Sequence, residues 1–352
     1  MKKAHLANSL RLCFIGPMIG RNAGYVTTQA QIIADLFEAA GYPVISASDS
    51  TNRYFRLIDI VRTLILKHRN MDIIIINVYG GASFVVEDIA SYLGRLFGKP
   101  IVMLMHGGAM PEFMARFPKW TRRVLGRANA IVTPSKFLAR AVAPYGFQAR
   151  VIRNVLDLPR YQYRHRRIIK PRLLWMRTFH PIYNPLMAVR VLARLKSTVP
   201  DATLLMAGQA NGTEAEVKRL AEELGLNDAL RLSGFLHAEK KMSEANAADI
   251  FINTNHIDNM PVSIVEACAM GLPVVSTSVG GLPDLLTDGE SGLLVPDDDD
   301  EAMVEAIKRL LNNQDLTSRL SSNGRLLAER SSWEEVRPQW EHLLTELVEP
   351  IH

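Results

Sequence analysis

The sequence predicts an α/β protein made of two Rossmann-like, doubly wound parallel-sheet domains that face each other across a cleft. Three observations lead there. The chain has 352 residues, more than one compact core usually holds. Short apolar strands alternate with helical stretches almost throughout, the pattern of a parallel sheet covered by helices. The alternation breaks once, over residues 157–172, and then restarts. These give domains at 1–160 and 161–330, with 331–352 as a C-terminal helix packing back toward the first domain.

The elements follow in order. "LRLCFIG" (10–16) is a strand, 28–41 a helix stopped by Gly41, and "PVISAS" (43–48) the next strand. Residues 55–70 and 85–98 are helices around the strand "DIIIINV" (72–78). "PIVMLMHG" (100–107), a helix at 119–128, "AIVTPS" (130–135) and a helix at 136–146 complete the first half. The stretch "DLPRYQYRHRRIIKPR" (157–172) has little periodicity and many positive charges, and reads as the linker. Beyond it come strands at 173–179, 203–208, 230–235, 249–254 and 273–277, with helices at 185–200 and 212–225. The run "DDDD" (297–300) suits the N-terminus of a late helix and reads as a solvated cap. Residues 331–348 form a last amphipathic helix.

Composition excludes several classes. Two cysteines, Cys13 and Cys268, show no metal or redox spacing, which fits a reducing cytoplasm rather than a disulfide framework. Arg11 interrupts the apolar stretch near the N-terminus, against a signal peptide. Runs such as "MDIIIINV" are too short to span a bilayer, so an integral membrane protein is not expected. The net charge of +5 favours an anionic partner. Nucleic acid is not expected, because no zinc-finger, RNP-like or basic-heptad pattern is present.

Ligands of parallel sheets bind beyond the carboxyl ends of the strands. After the first strand, Gly16, Gly20 and Gly24 recur at four-residue spacing. This is neither the dinucleotide fingerprint nor a Walker loop, so NAD and ATP are not indicated. A backbone cradle for phosphate and a plain tight turn both fit it. A second place is more informative. The strand "DIFINT" leads through "NHIDN" to a helix expected from Pro261, at its first position, to Met270, with Gly271 ending it. The start of such a helix favours a diphosphate. Glu266 lies one and a half turns in, where it can accept hydrogen bonds from vicinal hydroxyls such as those of a ribose. A capping or surface salt bridge fits the local sequence equally well.

The segment "DNMPVSIVEACAMGLPVVSTSVGGLPDLLTDGESGLLVPDDD" resembles the donor-site signature of the family-four retaining glycosyltransferases, which have the GT-B fold. "MHGG" (105–108), "VTPSKFLARAVAPYG", "VIRNVLDLPRY" and "LLWMRTFHPIYNP" are similar to further family segments, so the likeness covers nearly the whole chain. It is specific in the C-terminal half and looser in the N-terminal half.

The resemblance implies roles. Of two acids separated by seven residues, Glu266 would hold the ribose hydroxyls and Asp258 those of the transferred sugar. Aspartate at 258 departs from the family's usual glutamate. Backbone groups of Met260, Pro261 and Val262 would line the sugar and phosphates. Arg177 matches the diphosphate arginine, whereas the family's lysine position falls near Tyr183 or Asn184 and holds no lysine. His106 matches the histidine that faces the transferred sugar. With Gly20 as a further donor contact, the expected catalytic set is His106, Arg177 and Asp258, with no metal and no cofactor.

The implied reaction is metal-independent transfer of a hexose-type sugar, with retention, from a nucleoside diphosphate sugar to a glycan or lipid-linked hydroxyl. UDP is preferred over GDP as the base carrier. Domain closure would exclude water. A non-catalytic sugar-nucleotide binder, motivated by the missing lysine, and a GT-B epimerase are the rivals; a phosphorylase lacks a credible cofactor lysine. Arginines on 53–69 and 119–128 raise the option of an anionic membrane surface. The expected location is cytoplasmic, with a peripheral position at the inner face of the plasma membrane as the alternative.

Overall fold

The computed structural model describes residues 10–20, 22 and 27–348; Gly24 of the glycine-rich segment lies outside them. The chain divides into two compact units, Met1–Val155 with Trp333–His352, and Leu156–Ser332.

In the first unit a six-stranded parallel sheet has the order β2-β1-β3-β4-β5-β6. Its elements are β1 (Leu12–Ile15), α1 (Gln29–Ala39), β2 (Val44–Ala47), α2 (Arg53–Lys67), β3 (Ile73–Val78), α3 (Phe84–Leu96) and β4 (Ile101–Met105). They continue with α4 (Met110–Arg116), α5 (Pro118–Leu125), β5 (Ala130–Thr133), α6 (Lys136–Val142) and β6 (Arg150–Val151). The continuous apolar run of β3 follows from its central place: all six residues are buried, with helices on both sheet faces. Strand order reverses between β1 and β3, and such reversals open a crevice beyond the strand ends. Sequence reading missed α4 and β6. The first is only seven residues long with a proline in its first turn, and the second is a two-residue edge strand.

The helix Trp333–Val348 belongs to this first unit. Trp340 is fully buried and meets Phe37 of α1 edge-on, and Tyr42 donates to Glu341 at 2.8 Å.

The second unit carries a parallel sheet of order β12-β11-β10-β7-β8-β9, reversing between β7 and β10. Its elements are β7 (Arg172–Met176), α7 (Pro185–Lys196), β8 (Thr203–Ala207), α8 (Glu214–Glu223), β9 (Leu230–Leu232), α9 (Ala238–Ala247) and β10 (Ile250–Asn253). Then come α10 (Val262–Ala269), β11 (Val274–Thr277), α11 (Leu282–Leu285), β12 (Leu293–Val295), α12 (Asp300–Asn312) and α13 (Gln314–Glu329). Helix α9 escaped the sequence reading because Ala245 is its only buried residue, so it shows no apolar stripe.

Four expectations are corrected. The division of the chain falls at Val155, short of residue 160, because Leu156 already donates to the Ser331 carbonyl of the second unit at 2.7 Å. The stretch 157–172 is therefore not a free linker. It is a strap on the second unit, anchored by Arg166, which is 2% exposed and donates to the carbonyls of Arg164, Ala245, Ala248 and Met270. Its side-chain anchoring explains the lack of periodicity.

Pro261 is the N-cap of α10 with extended ψ of 119°, and the helix begins at Val262. The acidic run is more than a solvated cap. Asp299 caps α12 through the Ala302 N–H, while Asp298 accepts from Asn184 and Arg190, Asp300 pairs with Arg190 and Arg194, and Asp297 meets His256. The run clasps α12 onto α7.

Candidate functional site

In the second unit, the sheet reversal brings the ends of β7 and β10 side by side, and the predicted residues follow those ends. Arg177 comes directly after β7. Its N–H donates to the Ala207 carbonyl at 3.1 Å. A Cβ on Gly208 would sit 1.7 Å from the Arg177 carbonyl oxygen, so only glycine lets the two strand ends approach.

The Arg177 guanidinium lies 4.0 Å over the ring of Tyr183 and forms an ion pair with Asp258. Its buried Nε has no hydrogen-bond partner. Asp258 is held from two more directions, by Asn255 Nδ2 at 2.6 Å and the Asn259 N–H at 2.8 Å. The loop that carries it rests on Gly280 and Gly281. A Cβ on either would come within 2.1 or 2.0 Å of the carbonyl oxygens of Asp258 and Asn259, and the Gly281 N–H bonds the former at 2.9 Å.

Glu266 is buried on α10. It accepts the Tyr161 phenol at 2.7 Å and pairs with Lys241 of α9 at 2.5 Å, with the Lys241 ammonium 5.9 Å over the Tyr161 ring. Burial and the facing carboxylate push the Tyr161 phenol well above its ordinary range, so it stays a donor. Met260 and Pro261 are buried and Val262 is half-buried beside them.

The position that lacks the expected lysine is built differently. Tyr183 supplies the face under Arg177, and Asn184, at φ 45°, caps α7 and reaches Asp298. A cation the sequence reading missed is Lys241, on α9, which pairs with Glu266. Tyr161 was missed as well, since it lies in the stretch read as linker. The missing lysine was the signal that could have prompted a search for another cation, whereas Tyr161 left none.

His106 and Gly20 lie in the first unit. Asn77 Nδ2 donates to the Ile15 carbonyl at 2.9 Å, which turns its Oδ1 toward His106 Nε2 at 2.9 Å. Nε2 therefore carries the proton and Nδ1 is an acceptor. Burial pushes the His106 pKa down to about 4, so the ring is neutral near pH 7 and is not a proton donor through Nδ1. It stacks on Tyr79 with ring centres 5.1 Å apart. The Gly20 N–H is already given to Gln31 Oε1 at 2.9 Å, so in this conformation it is not offered to a phosphate.

Two doubly wound units, with charged and polar side chains gathered at a strand-order reversal, define a two-domain Rossmann-like protein of the GT-B class. Residues 27–160 match the family model described as Glycosyltransferase Family 4, and residues 169–327 match the one described as Glycosyl transferases group 1. The chain belongs to this glycosyltransferase family.

D-inositol 3-phosphate glycosyltransferase of Corynebacterium urealyticum is 32% identical over 162 residues, 44% of this chain and 38% of that protein. The protein of the same name from Geodermatophilus obscurus is 28% identical over 244 residues, 62% of this chain and 54% of its own length. The matches to these two thus span about 38% to 54% of the relatives' length. Among solved structures, Anabaena HepE in complex with UDP and glucose superposes with a TM-score of 0.75 at 19% identity, covering 96% of this chain and 100% of that one. Sucrose-phosphate synthase from Thermosynechococcus elongatus gives 0.78 at 17% identity, covering 96% and 99%. At such identities the shared property is the fold.

Proposed function

We propose that the protein is a retaining glycosyltransferase. It moves a hexose from a nucleoside diphosphate sugar, UDP-linked before GDP-linked, to a hydroxyl of a glycan or lipid-linked acceptor. The observation that carries the reading is Arg177, paired with Asp258 and stacked on Tyr183, with a buried Nε that lacks a partner. A buried guanidinium N–H without an acceptor suits an incoming phosphate oxygen. HepE, a fold neighbour, was solved with UDP and glucose, which favours UDP. The curated relatives' name makes a phosphoinositol the alternative acceptor.

In this reading the bond from the anomeric carbon to the diphosphate oxygen breaks, and the acceptor oxygen bonds to the same face. The acceptor proton passes to the departing phosphate. Arg177 and the N–H groups opening α10 stabilise the charge that develops there. Asp258 orients the sugar hydroxyls, and Glu266 takes the ribose hydroxyls in exchange for part of its bonding to Tyr161 and Lys241. Met260, Pro261 and Val262 line the sugar and phosphates. By resemblance His106 contacts the transferred sugar, and the reaction uses no metal and no cofactor.

Thermal-shift binding against UDP, GDP, ADP and TDP with their sugars, for wild type and Glu266→Ala, tests the donor. A ligand at a hundred times its Kd stabilises by about 2.7 kcal/mol. One nucleotide should shift the wild type and not the variant. No shift with any nucleotide would end the donor reading, and donor consumption without acceptor would favour an epimerase.

A second reading concerns location. Among the described residues no helix is long and apolar enough to cross a membrane. Yet α2 exposes Tyr54, Phe55, Ile58, Ile65 and Leu66 along one stripe, while burying Ile60 and Leu64 on its other side. Arg62 falls within that stripe. An apolar stripe with an arginine among its exposed side chains suits an anionic membrane surface, where a lipid-linked acceptor would be found, and so a cytoplasmic protein held peripherally at the inner face. Sedimentation with anionic vesicles at low salt tests it; absence of binding there, or equal binding by Phe55→Ser/Leu66→Ser, would refute it.

A further inference from the structure

Beside Arg177, where a second cation was expected, the second unit places an aromatic ring. Tyr183 closes the short turn Pro181–Tyr183 that follows β7. The Arg177 Cζ lies 4.0 Å from its ring centre.

The ring stands on a fixed base. The Thr254 hydroxyl is shared between the carbonyls of Tyr183 and Asn184, each at 2.9 Å. Thr254 is itself fully buried and accepts Trp175 Nε1 at 3.0 Å. Asn184 caps α7 through the Met187 N–H at 3.3 Å, which holds the chain on the far side of the ring. The Tyr183 side chain also packs against the core that contains Trp175 and Met187.

Arg177 is confined from another direction as well. Its terminal nitrogen pairs with Asp258, and that carboxylate is fixed by fully buried Asn255 at 2.6 Å and by the Asn259 N–H at 2.8 Å. A guanidinium laid on an aromatic face and tied at one end has its plane and its rotation set. Its Nε then stays buried and unpartnered in one orientation. A lysine at 183 would add a charge on a flexible stem but offer no such face.

We propose that Tyr183 is a positioning residue for diphosphate binding: its ring fixes the guanidinium plane of Arg177, and this preorganisation stands in for the charge of the expected lysine. The inference rests on the donor reading above. It goes beyond that reading in assigning what position 183 requires, an aromatic face rather than a cation.

Calorimetric titration with UDP and GDP, each beside its own nucleoside, separates the diphosphate from the base. The full chain is compared as wild type, Tyr183→Phe, Tyr183→Leu and Tyr183→Lys, with urea unfolding of each. Tyr183→Phe keeps the face and should bind the nucleoside diphosphate within about twofold of wild type. Tyr183→Leu should weaken it about fivefold to tenfold and the nucleoside by less than about twofold. Tyr183→Lys should also bind it more weakly than wild type does. If the leucine variant does not fold, the phenylalanine and lysine variants decide.

Binding of the nucleoside diphosphate by Tyr183→Lys as tightly as by wild type would overturn the inference, because charge would then serve in place of the face. So would a phenylalanine variant as weak as the lysine one, or equal losses of nucleoside and diphosphate in Tyr183→Leu. A wild type that binds neither UDP nor GDP would strike the donor reading and this inference together. A wild type that binds, with all three variants matching it, would strike this inference alone.

Discussion

The Tyr161 phenol reaches across 105 residues of sequence to donate to Glu266 at 2.7 Å. The bond joins a strap without secondary-structure periodicity to the helix that carries the ribose-binding candidate. It holds a buried carboxylate ready, and Lys241 neutralises it from α9. Removing the hydroxyl by Tyr161→Phe should cost about 1 kcal/mol in urea unfolding. It should also weaken UDP about threefold to tenfold by thermal shift. An unaltered UDP response would place Tyr161 in the fold alone.

Lys241 separates charge from shape. If it serves the phosphates that the family's missing lysine would serve, Lys241→Met should weaken UDP about tenfold and uridine by less than about twofold. Calorimetric titration of both ligands reads this directly. Equal losses would confine Lys241 to fixing Glu266.

Arg177 is stacked on Tyr183 as well as paired with Asp258. Lysine cannot reproduce the flat, forked contact. Arg177→Lys should therefore lower kcat by about tenfold to a hundredfold in a transfer assay. Retained turnover would remove it from the phosphate site.

Arg166 is a structural anchor. Arg166→Met strands buried carbonyls at Ala245, Ala248 and Met270, and should cost about 2–4 kcal/mol in urea unfolding. A loss under 1 kcal/mol would mean that water replaces the guanidinium.

Glu87 makes stability depend on pH. Burial raises its pKa from 4.5 to about 8, while Tyr79 donates to it, His106 is neutral and Arg56 is engaged elsewhere. Between those values the folded state keeps a proton that the unfolded state releases. Stability is then full below pH 4.5 and falls as pH rises toward about 8, by at most about 1.4 kcal/mol per unit. Glu87→Gln should flatten that part of the profile, measured by urea unfolding at a series of pH values. An unchanged slope would show that Glu87 is ionised in the fold.

The two parallel sheets and the "DNMP…VEACAMG" loop and helix were legible in the sequence, because strands buried on both faces and alternating with helices leave a periodic record. Glu266 stood out as an acid inside the apolar helix, whereas Arg177 and Asp258 were named through the resemblance of their segments to the family's. Less legible were the elements without an apolar stripe. Helix α9 buries only Ala245, and the 157–172 strap is fixed by guanidinium-to-carbonyl bonds that leave no pattern.

The sequence by itself therefore determined the fold class, since hydrophobic period encodes it, while Arg177 and Asp258 were named through the resemblance of their segments to the family's. Tertiary structure alone decided their partners. Lys241 and Tyr161 meet Glu266 from 25 and 105 residues away, and Tyr183 fills with an aromatic face the place where a lysine was expected. The physical reason is that a buried charge must be satisfied by whatever the folded chain brings within hydrogen-bond reach, and sequence distance does not record that reach.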